Sequence, residues 1–251
     1  MLFQRGKKPD IKLNSAYVLE VTQTEKGSSH NRYVCVSGDE DVKVAVEFGH
    51  KDGKPCICEF DSQLPKLFCD FPLVGTEDFA FPIVVNSSSF NPIEPRDGIW
   101  LNDNDNDTDT EQNKDLITRA VALYKDLLKY TAERNFDCIY NITAIKKPVY
   151  KDWLSVEWLN DNVSKEIKNY LSYEKFIVAQ NGNKTPLFDD VWDSSNILLM
   201  NDTSIAIRDS VWVLSSYLYA DALCKRNEIE NWHKSLWRDC HNFGLKNLGN
   251  R

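Results

Sequence analysis

Glycine is scarce in this chain and never grouped: ten are spread over 251 residues. A loop that wraps backbone amides around phosphate needs clustered glycines, so no such cradle is encoded here. Histidine is scarcer still. His30, His50, His233 and His241 stand in no recognisable nucleophile motif, whereas nucleophilic catalysis needs a base beside a serine or cysteine. Asp239, Cys240 and His241 are consecutive, but on a helix neighbouring residues point about 100° apart and cannot form a relay. No apolar run reaches the roughly 18 to 20 residues needed to cross a bilayer. The opening residues, Met1 to Lys8, lack the apolar core of a secretion signal. Positive charge is in deficit too, with 30 basic against 38 acidic side chains and a formal charge of -8. That balance disfavours non-specific attraction to polyanions, so nucleic acid is not an expected partner, and without a spanning run neither is a membrane. The expected location is the cytoplasm.

What is present can build a sizeable core: 42% of residues are hydrophobic and 12% aromatic, enough for one large domain or two modest ones. The seven cysteines (Cys35, Cys56, Cys58, Cys69, Cys138, Cys224 and Cys240) are odd in number and irregularly spaced. A secreted disulfide framework is therefore disfavoured, and reduced, mostly buried thiols are expected.

The pattern from Lys12 to Leu101 is that of strands. Ala16 to Val21, Arg32 to Val36 and Val42 to Phe48 are rich in β-branched and aromatic residues, and several alternate polar with apolar. A hairpin is predicted between Val42 to Phe48 and Pro55 to Phe60, because Asp52-Gly53 supplies the positive φ of a tight reversal. Phe81 to Val85 is a further strand candidate, while Met1 to Asp10 shows no folded pattern. Asn102 to Asp109 is too polar to pack and reads as a solvated loop. A helix follows it. Thr108 and Glu111 have capping-box spacing, and Leu116, Ala120, Leu123, Leu127 and Tyr130 share one helical face. Past Pro148, Val163, Ile167, Tyr170 and Leu171 share a face, as do Ile229, Trp232, Leu236 and Cys240. Between them Asn181-Gly182-Asn183 predicts a hairpin joining 175–179 to 186–188. The fold class is α+β: a β-rich segment over residues 1–109 and a mainly helical, tryptophan-containing segment over 110–251 with a small hairpin.

Three constellations could carry chemistry. Asp103, Asp105 and Asp107 open like a calcium loop, but its sixth position holds Thr108 instead of glycine and its twelfth holds Lys114 instead of glutamate. His50, Cys56, Cys58 and Cys69 are soft ligands within twenty residues, yet Cys-x-Cys on a strand lacks the chelating turn of a zinc site. A cysteine-bearing hairpin face is the simpler account, and a metal-dependent enzyme built on His50 and these cysteines is the second alternative. The tryptophans at 153, 158, 192, 212, 232 and 237 are expected to anchor packing.

The segment from Leu64 to Leu101 is different in kind. Prolines 65, 72, 82, 92 and 95 fix φ and delete donors, so its strands must be short and its loops specified. Glu94-Pro95-Arg96-Asp97-Gly98 reads as a turn presenting the Arg96 guanidinium, a group suited to carboxylate or phosphate. Pairing of Arg96 with Glu94 or Asp97 is the plainer reading of that turn.

Phe71-Pro72-Leu73-Val74-Gly75-Thr76-Glu77, Phe81 to Ser87 and Glu94 to Ile99 together resemble a signature of sacsin-like proteins with a GHKL-type, heat-shock-chaperone-like ATPase module, many bacterial members among them. The likeness is specific over Leu64 to Leu101 and loose beyond. In that family the signature follows the nucleotide-binding half. A site of that type uses a helix bearing Glu and Asn, an Asp-x-Gly loop and a glycine-rich lid, and none of these occurs here in the expected order. The resemblance thus implies a non-catalytic coupling or interaction segment of a larger, chaperone-like ATP-binding protein. No cofactor is expected in this segment; ATP and Mg belong to the parent. Its implied partners are an upstream nucleotide-binding domain of the same polypeptide and protein clients. By the same analogy Arg96 is the phosphate-contact candidate, supported by Glu94, Asp97 and Gly98. The alternative is a self-contained module that recognises protein or peptide through a sheet edge or its tryptophan-bearing helices.

Overall fold

The computed structural model describes residues 2–5, 16–25, 28–103, 107–189, 194–195, 205–218, 220–221 and 223–236. The chain divides into two compact units, Met1–Glu166 and Ile167–Arg251. The sequence-based boundary between 109 and 110 falls inside the first unit, because the helix that follows it buries its apolar face in the core shared with the strands.

Strands β1 (Leu2–Arg5), β2 (Ala16–Glu25), β3 (Ser28–Gly38), β4 (Val42–Lys51), β5 (Lys54–Ile57), β6 (Leu67–Cys69), β7 (Phe71–Pro72) and β8 (Val84–Ser87) form one sheet. Its order is β1-β2-β3-β4-β8-β6-β7. The neighbours pair antiparallel except β6 and β8, which run parallel. Strand β1 corrects the expectation that the first ten residues carry no element: Leu2 to Arg5 pair with Thr24 to Val21. Four residues hold too little pattern to announce a strand, and it is the backbone ladder offered by β2 that makes one.

Strand β4 organises the sheet. Val42, Val44, Val46 and Phe48 are buried while the residues between them are not, the period-two pattern of a strand with one face on the core. Its first half pairs with β8, Val42 opposite Ser87 and Ala45 opposite Val84. Its second half pairs with β5, Phe48 opposite Ile57 and Lys51 opposite Lys54. The reversal between β4 and β5 is the two residues Asp52 and Gly53, both at positive φ (52° and 77°), the type I′ geometry that suits strand twist.

Helix α1 (Thr108–Glu133) covers the β4 face with Leu116, Ile117, Ala120, Val121, Leu123, Tyr124, Leu127 and Leu128, all buried. Asp107, not Thr108, is its N-cap, with a side chain that accepts from the Asp109 amide. The Asp107 carboxylate is better suited to the positive helix start than a hydroxyl, and the cap moves back one residue. Tyr124 donates its phenol to the Ile142 carbonyl at 2.6 Å, anchoring the 3₁₀ turn Ile139–Ile142 beneath the helix. Phe48 meets Phe136 with ring centroids 4.9 Å apart, closing the core at the far end of α1. The unit ends in the short helix α2 (Val156–Leu159), capped by Ser155, and a π turn at Asn160–Ser164.

The second unit begins within α3 (Lys165–Tyr173), which buries Ile167 and Leu171. Strands β9 (Ile177–Val178) and β10 (Lys184–Thr185) form the expected hairpin around Gly182 at φ 89°. Its return strand lies nearer the turn than 186–188, and Phe188–Asp189 forms β11 with Ser194–Ser195 as β12. Helices α4 (Ile205–Leu218) and α5 (Ile229–Ser235) follow. Ile229, Trp232 and Leu236 are buried on the predicted face, while Cys240 lies outside the described residues. No helix among the described residues is long and apolar enough to cross a membrane.

Leu127, fully buried in mid-helix, sets a test of this packing. Leu127→Ala is expected to cost about 2–5 kcal/mol in urea unfolding, against less than about 0.5 kcal/mol for Lys129→Ala on the solvent face.

Candidate functional site

The loop from Asn91 to Leu101 is built as an irregular hairpin. Pro92 bridges Ile99, Ile93 donates to the Gly98 carbonyl at 3.1 Å, and Arg96 donates to the Ile93 carbonyl at 2.6 Å. The peptide between Glu94 and Pro95 is cis, and Arg96 sits at φ 73°. Glu94 and Arg96 are exposed at the tip, Asp97 is half-buried and Gly98 is buried.

Two contacts fix this hairpin to the body. The first is Asn113, a wholly buried amide in the first turns of α1. Its Oδ1 accepts from the Asn91 amide at 2.8 Å, and its Nδ2 donates to the carbonyls of Asn91 and Trp100 at 2.9 and 3.1 Å. One side chain thus treats both stems of the hairpin as strand edges. The second is Trp153, whose indole lies against Gly98 so closely that a Cβ there would stand 2.3 Å from its Cε2. Only hydrogen fits, which is the physical reason for glycine at 98. Leu101 continues the attachment by donating to the Trp153 carbonyl at 2.7 Å and accepting from the Ser155 amide at 2.8 Å.

Beside the hairpin lies the loop from β6 to Thr76. Asp70, at φ 60°, reverses the chain, and the Leu73 amide returns to the Leu67 carbonyl at 2.9 Å. Thr76 ties the loop shut: its hydroxyl accepts from the Leu67 amide and donates to the Leu73 carbonyl at 2.7 Å. At Gly75, φ 110°, the loop abuts Asp97, whose Cβ would be 3.1 Å from a Cβ at 75. The Arg96 guanidinium reaches the Cys69 carbonyl at 3.4 Å. The two loops therefore meet where Arg96 reaches Cys69 and Asp97 abuts Gly75, and the second loop exposes Phe71 and Val74 by 74% and 68%. Pro72 ends the sheet here, since β7 is its last strand and has no amide to offer a further one at that position.

Neither Glu94 nor Asp97 is ion-paired with Arg96 among the described residues. The carboxylate of Asp97 places Oδ1 out of solvent without a hydrogen-bond partner among the described residues. A cavity of about 20 Å³ lies between Gly75, Thr76, Phe79 and Trp153, room for one water and no ligand.

Lys66 lies under the same loop, and sequence reasoning did not single it out. Its residue is 5% exposed, its Nζ sits 3.1 Å from the centre of the Phe60 ring, and it donates to the Pro82 carbonyl at 3.2 Å. Burial pushes its ammonium down to about 7, with the Lys146 charge adding to the effect. Lys146 in turn holds Asp78 at 2.6 Å and keeps that carboxyl below its usual range. No pattern flags a buried lysine between two prolines; its stem simply packs like a hydrocarbon.

The soft ligands are dispersed. His50 packs against Tyr33 and Phe48 at 5.1 and 5.8 Å between ring centroids. Cys56 faces Cys138 with sulfurs 2.6 Å apart, and Cys69 points at the Phe90 carbonyl. Among the described residues no three of His, Cys, Asp and Glu are grouped to hold a metal ion. Asp107 of the acidic run is the α1 cap, while Asp105, Cys240 and His241 lie outside the described residues.

Asn113→Ala strands two carbonyls and an amide and is expected to cost about 2–4 kcal/mol, with faster amide exchange at Asn91 in hydrogen-exchange measurements. Lys66 gives a pH test. Its folded value lies below the ordinary 10.5, so between about 7 and 10.5 the unfolded chain binds a proton the folded one lacks, and stability rises with pH. Lys66→Met should therefore stabilise the protein by about 2–4 kcal/mol at pH 6, the gain fading towards pH 10 in urea titrations. No protein-family model, curated protein or solved structure matches this chain.

Proposed function

We propose that this chain has no catalytic centre of its own and serves as a coupling or interaction segment of a larger sacsin-like, GHKL-type ATP-binding protein. The observation that carries the reading is the Arg96 turn. Its backbone is held by Asn113 and roofed by Trp153, and its guanidinium is exposed without an ion-pair partner among the described residues. An exposed, unneutralised guanidinium on a backbone held in this way is suited to bidentate contact with an anionic oxygen pair brought by another domain. In this reading Arg96 meets the terminal phosphate of ATP bound upstream, and the exposed Phe71 and Val74 of the neighbouring loop supply apolar contact to that domain. The family likeness of the Leu64 to Leu101 signature supports the assignment, and the scarcity of glycine supports the absence of a nucleotide pocket here.

A second reading is favoured by helix α4. Val213, Leu214, Tyr217 and Leu218 are exposed by 51 to 83%, and their spacing gathers them on one side of the helix. A self-contained module could lay such a face into a partner's groove. The two readings separate by nucleotide. Calorimetric titration of the 251-residue chain with Mg-ATP is expected to show no binding at micromolar concentration, and micromolar affinity would overturn the coupling reading. Capture of a partner in the presence of the parent protein that responds to nucleotide and is lost in Arg96→Ala supports coupling. Capture indifferent to nucleotide but lost in Leu214→Asp supports the module.

A further inference from the structure

We propose that Cys56 and Cys138 are a redox-sensitive pair that closes to a disulfide when the folded protein meets a small disulfide oxidant. The two residues are 82 apart in sequence, and their sulfurs lie 2.6 Å apart.

The approach is built by the backbone on both sides. Alongside β5 the segment after α1 runs parallel, with Cys56 bridging Asp137. Asp137 donates to the Pro55 carbonyl at 2.8 Å, and Ile57 donates to the Asp137 carbonyl at 3.0 Å. The Asn141 amide adds a third tie to the Ile57 carbonyl at 2.9 Å. Between these fixed points Cys138 adopts φ 62° and ψ 29°, the left-handed region that a side chain enters only where the surroundings impose it. Two residues earlier Phe136 is locked against Phe48. The cysteines are thus held face to face by contacts that do not depend on the sulfurs.

A metal is the weaker account of two facing thiols, since among the described residues no third ligand joins them. Of the other described cysteines, Cys35 and Cys224 are enclosed in the core and Cys69 faces a carbonyl. Cys58 is part-exposed and lies within electrostatic reach of Cys138, so the peptide map must show Cys56 and not Cys58 in the linked pair.

The reaction is an exchange. One thiol, deprotonated, attacks a small disulfide RSSR and releases RS⁻, leaving a mixed disulfide on the protein. The second thiolate then attacks that protein sulfur, the Cys56–Cys138 bond forms, and a second RS⁻ leaves. The protein gives up two electrons, RSSR takes them, and the two thiol protons go to the two released RSH. Burial, then the contact with Cys138, pushes the Cys56 thiol up to about 12. Thiolate at Cys56 is therefore scarce near neutrality, and attack that begins at Cys56 quickens with pH. Once closed, the bond clips β5 and the β4 hairpin to the segment following α1, closing a long loop in the unfolded chain.

The test uses the whole chain. Folded protein is incubated with oxidised glutathione, alkylated under denaturing conditions and weighed intact, with a dithiothreitol-treated sample as reference. The expected result is two fewer alkylated cysteines than the seven of the reduced chain, and a linked peptide pair carrying Cys56 and Cys138. Thermal unfolding should rise by roughly 10 °C on oxidation and return with dithiothreitol. Cys56→Ser and Cys138→Ser should each abolish the loss of two thiols, while Cys69→Ser should retain it. Seven alkylated cysteines after oxidation, a linked pair that omits Cys56 or Cys138, or stoichiometric zinc lost in Cys56→Ser would overturn the proposal. Should either serine variant fail to fold, the peptide map of the unaltered protein decides alone.

Discussion

A single buried amide, that of Asn113, positions most of what is distinctive in the first unit. It meets two carbonyls and one amide of the Asn91 to Leu101 hairpin from the buried face of α1, in line with the apolar Leu116, Ile117 and Ala120. A buried amide left unpaired is costly, so helix and hairpin are satisfied together or not at all. The arrangement gives the hairpin the stability of α1 although it makes little regular structure of its own.

The same logic of a polar group closing an irregular segment recurs nearby. Thr76 shuts the loop after β6 through a hydroxyl that both accepts and donates. Gly98 lets Trp153 lie flat on the hairpin, and Gly75 lets Asp97 approach. Arg119 links α1 to Asp39 and Asp41 at the β3–β4 turn, though a part-exposed pair of this kind contributes little. What results is a rim of hydrogen-bonded loops at the β7 edge of the sheet, set on a core that β4 and α1 define. Loops ordered in advance lower the entropic cost of any contact they make.

Regular elements were the legible part. The alternation at Val42, Val44, Val46 and Phe48, the Asp52-Gly53 reversal and the 3.6-residue spacing along α1 each name their structure locally, because period and turn chemistry are properties of neighbouring residues. The Glu94 to Gly98 turn was legible for the same reason. Strand β1 was not, since its partner lies about twenty residues away. The cap at Asp107 was missed by one residue because two hydroxyl or carboxylate side chains adjoin there. Asn113 reads as an ordinary polar helix residue until the hairpin carbonyls are placed opposite it.

The sequence alone thus determined the α+β class, the course of β4 and α1, and a proline-set turn bearing Arg96. Tertiary structure alone decided that Lys66 is buried beneath an aromatic ring, that Asn113 holds the hairpin, and that Cys56 meets Cys138 across 82 residues. The difference is one of range. Propensity and periodicity act between residues a few positions apart, whereas desolvation and side-chain pairing depend on which distant segments the sheet brings into contact.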